Sequence, residues 1–148
     1  MATGDVTIFE EFLVDLRDKI FDFDTDTWKL GIIDNSTPPT AADATPRWAD
    51  YSGNEVATAG NYTANGETLG SVTCAEAAGV MTFDAADVTI SQDGSGFTDG
   101  YWGIIYSDTA AADQAMAFVE MGGPVSEQAG DVTFEWNASG IATFTVNP

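Results

Sequence analysis

Asp131-Val-Thr-Phe-Glu-Trp-Asn-Ala-Ser-Gly-Ile-Ala-Thr-Phe-Thr-Val146 is the stretch on which the fold class turns. Val132, Phe134 and Trp136 alternate with Thr133 and Glu135, the two-residue period of a strand with one buried face. Ser139-Gly140 then interrupts, and a second apolar run follows. Strands are therefore predicted over 131–136 and 140–146, with Ser139-Gly140 a candidate for a tight hairpin turn. Working back along the chain, similar runs predict strands near 54–58, 67–74, 79–83, 86–91, 101–107 and 114–120. Asn65-Gly66, Asp93-Gly94-Ser95-Gly96, Asp99-Gly100 and Gly122-Gly123-Pro124 read as turns between them, Asn65-Gly66 being a second hairpin candidate. Short strands at roughly ten-residue spacing predict a mainly β fold, an antiparallel β-sandwich or partly closed barrel.

The N-terminal third reads differently. Phe9, Phe12, Leu13, Leu16 and Ile20 fall on one face of a 3.6-residue period, predicting one amphipathic α-helix over residues 7–21. Thr7 and Glu10 have the spacing of a capping box. Glu11, Asp15 and Asp18 occupy the opposite, solvated face, and Arg17 and Lys19 suit the negative end of the helix dipole. The helix is expected to end near Phe23. Trp28, Leu30 and Ile32 then alternate with Lys29 and Gly31 as a strand with one buried face. Asp34 to Pro46, with Pro38, Pro39 and Pro46, is a loop in which Thr40 to Asp43 adds a short helical turn. The expected organisation is a single β-rich domain over 1–148, with an N-terminal segment at 1–26 and a long loop at 34–50. Trp28-Lys-Leu-Gly-Ile-Ile and Trp102-Gly-Ile-Ile echo each other, as a duplicated half-sandwich or two central strands in similar packing would.

Charge narrows the function. The chain has 24 Asp and Glu against 4 Lys and Arg and no His, a formal charge of −20. After Arg47 there is no cation. Such a surface repels nucleic acid, because that affinity comes largely from cations that displace counterions. Without His, the usual proton shuttle near neutrality is missing. Nine Phe, four Trp and four Tyr nevertheless supply a core, so the chain is not a disordered acidic tail. Cys74 is the single cysteine, which leaves no intramolecular disulfide; it reads as a small apolar side chain. The acids at Glu10, Glu11, Asp15 and Asp18 do not fit a signal peptide, and no apolar run reaches the length of a membrane span. The expectation is a soluble product made without export.

No motif of catalysis emerges. Asp22, Asp24 and Asp26 open like a calcium loop, but Thr27 and Ile33 stand where the Gly and Glu of an EF-hand would be. Gly94-Ser-Gly96 lacks the ending of a phosphate loop. Glu120 and Glu135 lie in apolar strands, where alternation sends them outward. No catalytic residue, cofactor or metal ligand is predicted. Trp48, Tyr51, Tyr101, Trp102 and Tyr106 are either core or an exposed stacking platform for a sugar. The four cations Arg17, Lys19, Lys29 and Arg47 are either internal partners of carboxylates or contact points for an acidic partner.

Longer stretches carry a resemblance. Trp28-Lys-Leu-Gly-Ile-Ile-Asp-Asn-Ser is followed by Thr40-Ala-Ala-Asp, Tyr51-Ser-Gly-Asn-Glu-Val and Gly60-Asn-Tyr-Thr-Ala-Asn-Gly-Glu-Thr-Leu. Later come Tyr101-Trp-Gly-Ile-Ile-Tyr-Ser-Asp-Thr and the closing Phe134-Glu-Trp-Asn-Ala-Ser-Gly-Ile-Ala-Thr-Phe-Thr-Val. Together they resemble small virion structural proteins of tailed bacteriophages, including capsid decoration (cement) proteins. The resemblance implies a β-rich body without enzyme activity, made in the host bacterial cytoplasm and carried on the virion. The expected place is the outer surface of the capsid, bound to the major capsid protein, with no nucleic acid or membrane partner. A homotrimer would suit local three-fold positions of an icosahedral shell. A tail, collar or fibre position is the alternative within the group, and a carbohydrate-binding module is the alternative outside it. The main contacts are expected in 1–26 or in the loop 34–50, with Arg17, Lys19, Lys29, Arg47 and Trp48 as the candidate contact residues.

Overall fold

The computed structural model describes residues 4–147 and is mainly β, with short helices and antiparallel sheets that do not close into a barrel. The strands are β1 (Val6–Ile8), β2 (Trp28–Ile33), β3 (Glu67–Thr68), β4 (Thr73–Ala77), β5 (Val80–Asp84), β6 (Val88–Ile90), β7 (Gly100–Ser107), β8 (Ala115–Val125), β9 (Val132–Phe134) and β10 (Ala142–Thr145). The helices are α1 (Phe12–Arg17) and α2 (Trp48–Tyr51), the latter followed by a 3-10 turn at Ser52–Asn54.

A five-stranded sheet in the order β1-β8-β7-β2-β3 forms one layer. A three-stranded sheet, β10-β5-β4, and a two-stranded one, β6-β9, form the other. β5 leads into β6 through three residues and β9 into β10 through seven, so the small sheets continue each other along the same two chain paths. The main core lies between the layers: Trp28, Leu30, Ile32, Ile105, Ala117 and Val119 from the large sheet meet Phe83, Val88, Ile90, Val132 and Phe134.

β2 does not have one wet face as its alternation predicts. Its inward residues meet the main core, but Ile33 joins a second cluster on the far side of the sheet with Phe9, Trp48, Tyr51, Ile104, Tyr106 and Phe118. The Trp48 ring lies where a Cβ on Gly31 would be, so that position needs glycine. β2 and β7 pair centrally, Gly31 opposite Ile104 and Ile32 opposite Gly103. The echoed Trp/Gly-Ile-Ile runs are thus neighbouring strands packed on both faces.

The N-terminal helix is far shorter than its periodicity predicts. Thr7 sits in β1, paired with Phe118, and the Phe9 amide donates to the Met116 carbonyl (3.0 Å). Pairing along the edge of β8 satisfies backbone groups there that a helix would leave open. The capping box is therefore not formed: Glu11 is the N-cap, without a side-chain cap. α1 ends in a Schellman motif, Lys19 N–H to Leu16 C=O (3.2 Å) and Ile20 N–H to Asp15 C=O (2.9 Å), with Lys19 left-handed at φ 58°. The turn stops the helix well before Phe23.

Other expectations shift similarly. Residues 54–58 are not a strand; Glu55 makes one isolated bridge to Ile33. The 67–74 run splits into β3 and the start of β4. Neither Asn65-Gly66 nor Ser139-Gly140 closes a hairpin, because β3 pairs with β2, and β9 and β10 pair with different strands. The tight hairpin is β4–β5, through Ala78 and Gly79 at φ 52° and 82°, both signs a two-residue hairpin turn requires. Asp99-Gly100 is the entry to β7, and Gly122-Gly123-Pro124 continues β8 instead of turning. The 34–46 loop has no regular element, and Thr40–Asp43 is a turn closed by an Asp43 N–H to Thr40 C=O bond (3.1 Å).

Candidate functional site

Of the two segments expected to reach a partner, 1–26 (its residues 1–3 lie outside the described residues) and 34–50, the described parts meet at residues 9–10. The Glu10 amide donates to the Ala41 carbonyl (2.8 Å), and Phe9 stacks on Tyr51 with ring centroids 6.2 Å apart. Tyr51 Oη donates to Asp43 Oδ2 (2.8 Å), which ties α2 to the middle of the loop. Burial alone would raise the Asp43 carboxyl, but hydrogen bonds from Thr40 and Tyr51 outweigh it and hold it below the usual range. Burial and the Asp43 charge push the Tyr51 hydroxyl up. The far end of the loop is held by Ala115 N–H to Pro46 C=O (2.9 Å) and Trp48 N–H to Asp113 C=O (2.9 Å). The proline-rich loop is thus a fixed plate over the second cluster.

α1 stands beside that plate rotated from the expected arrangement, with Phe9 and Phe12 buried and Asp18 exposed as expected but Leu13, Leu16 and Asp15 exchanged. Phe12 enters the core, stacked on Phe21 (5.7 Å) and Phe144 (5.4 Å). Asp15, expected in solvent, is 9% exposed, and its Oδ2 is buried with no hydrogen-bond partner. Burial pushes its carboxyl up, Glu11 adds to the shift, and Arg47 opposes it. Leu13 and Leu16, expected in the core, are 68% and 39% exposed. With Val146 they are the exposed large apolar side chains among the described residues.

The five candidate contact residues separate accordingly. Arg17 is exposed next to Leu13 and Leu16, paired through its fork with its neighbour Asp18 (2.8 and 2.9 Å). So exposed an ion pair contributes little and leaves the guanidinium open to a partner. Lys19 is exposed on the turn that follows, and Arg47 is exposed at the start of α2 within electrostatic reach of Asp15. Lys29 stands apart: its Nζ lies 3.2 Å from Asp108 Oδ2, and its side chain is 18% exposed, so it serves as an internal partner. Trp48 is a correction. It is 4% exposed and stacks face to face on Tyr106 (5.0 Å, 1°), so it holds the loop down and presents no contact surface. Among the other aromatic candidates, Tyr51 and Tyr106 are buried, while Tyr101 and Trp102 are half-buried, the Trp102 indole donating to Asn35 (3.0 Å).

Sequence reading missed Glu127, which is fully buried. Its Oε1 accepts the Asn61 amide (2.5 Å), Oε2 has no partner, and a Cβ on Gly60 or Gly96 would collide with the carboxylate. It fastens two loops, 60–61 and 93–97. Among the described residues no group of three or more His, Cys, Asp or Glu is placed to hold a metal ion. In the 22–26 connector the Asp22 carboxylate instead accepts from the Asp24 amide and the Asp26 carboxylate from the Asp22 amide, and Asp26 also accepts from Ser107. Cys74 is half-buried, and burial, then the Asp24 charge, push its thiol up, disfavouring thiolate. No helix among the described residues is long and apolar enough to cross a membrane. No protein-family model, curated protein or solved structure matches the chain.

Proposed function

We propose that this chain is a tailed-bacteriophage capsid decoration (cement) protein. It binds the outer surface of the head and braces contacts between major capsid subunits. The observation that carries the reading, beside the sequence resemblance, is the surface of α1 and the 34–50 loop: Leu13 and Leu16 exposed on α1 with Arg17 and Lys19 beside them, and Arg47 exposed within electrostatic reach of Asp15, on a body of net charge −20. Elsewhere the acids oppose association; here exposed apolar area favours it, and three of the chain's four cations lessen the repulsion. A single small contact of this kind is weak, but copies repeated over a shell act together. Self-association as a trimer at three-fold positions is compatible with the same face.

The test is binding to expanded capsids that lack the protein. Wild-type protein should co-sediment and raise the temperature at which the shells release DNA. Leu13→Asp/Leu16→Asp and Arg17→Glu/Lys19→Glu should fold normally, their positions being exposed, and lose most of that binding. Unchanged binding by both variants, or no binding by the wild type, rejects the proposal.

A further inference from the structure

The three-stranded sheet ends in an open edge. β4 is its outer strand, and four of its five residues are exposed. The Val146 amide donates to the Gly79 carbonyl (2.9 Å), in register with the β10–β5 ladder. Backbone groups alternate sides along a strand, so Met81 and Phe83 bond to β10 while Val80, Thr82 and Asp84 bond to β4. Opposite the latter stand Ala77, Ala75 and Thr73. The amides and carbonyls of Cys74 and Glu76 therefore point away from the sheet, where no other strand pairs with them. This edge is also sparsely charged: residues 68–83 hold one acid, Glu76, and residues 136–148 hold none.

We infer that β4 is a self-association edge, at which a second copy of this chain adds its own β4, antiparallel, about a two-fold axis. The two three-stranded sheets then run on as one. Charge specifies the occupant. Two bodies of net charge −20 approach closely only where acids are sparse, and this edge is such a place. Geometry specifies the register. With Ala75 opposite Ala75, Cys74 of each copy lies opposite Glu76 of the other, and both outward residues of each strand are hydrogen-bonded. Sliding the strands so that Glu76 meets Glu76 sets like charges directly opposite, and sliding them the other way sets Glu76 against Val72, outside β4. Glu76 Oε1 accepts the amide of its own Gly79 (2.7 Å), which draws the carboxylate toward the hairpin and away from the axis. The opposite edge, β10, is less suited. There α1, about 10 Å across, packs through Phe12 on Phe144 (5.4 Å) and overhangs a strand spacing of about 4.8 Å. The inference is separate from the α1 face, so failure of either leaves the other intact.

Sedimentation velocity in the absence of capsids is the test. The wild type should show a reversible monomer–dimer equilibrium that tightens as NaCl rises, because screening weakens the repulsion between the two bodies. Ala75→Glu, at an exposed position, sets like charges opposite each other at the axis. It should weaken the dimer about fivefold or more, with the far-UV circular dichroism unchanged. Cysteine cross-linking reads the register. In Cys74→Ser/Ala75→Cys the two new thiols face each other across a pair about 4.5 Å apart at Cα, within disulfide reach, so mild oxidation should give a covalent dimer. In Cys74→Ser/Ala77→Cys the symmetry mates lie roughly 14 Å apart and should not cross-link. Four outcomes overturn the inference. They are a monomer at every concentration up to about 200 µM, equal cross-linking of both cysteine variants, a dimer that Ala75→Glu leaves unchanged, or one that weakens as NaCl rises. The last would mean that cations of the 17–47 region pair with acids of the second copy instead.

Discussion

Asp15 shows how one side chain can carry the tension between fold and charge. The Phe12 ring turns α1 so that position 15 faces inward, and a carboxylate oxygen is buried without a partner. Burial and Glu11 raise its pKa above the unfolded value despite Arg47. The native state then holds the proton more tightly than the unfolded chain, so this group's contribution to stability is greatest at low pH. It falls as pH rises through the raised pKa. Asp15→Asn should therefore raise Tm at pH 7 by about 2–4 °C, on the scale of ~1 kcal/mol for a chain this size. The gain should shrink as pH drops below the usual carboxylate range. Differential scanning fluorimetry from pH 3 to 8 measures this, and a gain that grows toward acid would refute the assignment. The periodicity of residues 9–20 is correct in spacing, but it does not specify which of two partly apolar faces turns inward. Leu13 and Leu16 outnumber Phe12 in the pattern, yet a Phe cluster supplied by Phe21 and Phe23 just downstream and by Phe144 near the far end of the chain decides the rotation.

At the scale of elements, the short α1 and its left-handed stop are the features that define the proposed binding face. Lys19 holds a conformation that costs about 1–2 kcal/mol for a residue with a Cβ. Lys19→Gly should therefore stabilise the fold, by roughly 1 kcal/mol in urea denaturation. The same variant should bind capsids less well, because it removes one of the exposed cations. Stability and binding moving in the same direction would mean that the turn, and not the charge, makes the contact. Alternation made β6 and β9 legible, because each puts every second side chain into the main core, whereas β7 was legible as an apolar run between turn residues and is packed on both faces. β1 was not legible: three residues owe their strand to the edge of β8, about 110 positions away, and carry no local signal of it. The hairpin turn at Ala78-Gly79 was missed for a different reason, since Ala is not a usual residue at positive φ.

For the whole molecule, charge dominates. Fourteen of the acids follow Arg47 with no cation among them, so the folded body repels itself. Raising NaCl from 10 to 150 mM shortens the Debye length from roughly 30 to 8 Å. Tm should rise over that range, most steeply at the low end, and sodium sulfate at equal ionic strength should do at least as well. A Tm that falls with salt would show that attractive surface pairs outweigh the repulsion, contrary to the few ion pairs seen.

What the amino-acid order determined alone is the class of fold and the excess of acids over bases. Two-residue alternation, turn residues and the absence of His are local properties, readable without knowing what packs on what. The tertiary structure alone decided which apolar residues stay outside. Trp48 went in because Gly31 leaves room for its ring and Tyr106 stacks on it, while Leu13 and Leu16 stayed out because a Phe cluster had filled the space beneath α1. Burial depends on which distant segments reach a position first with the better-fitting volume, and no window of neighbouring residues contains that information.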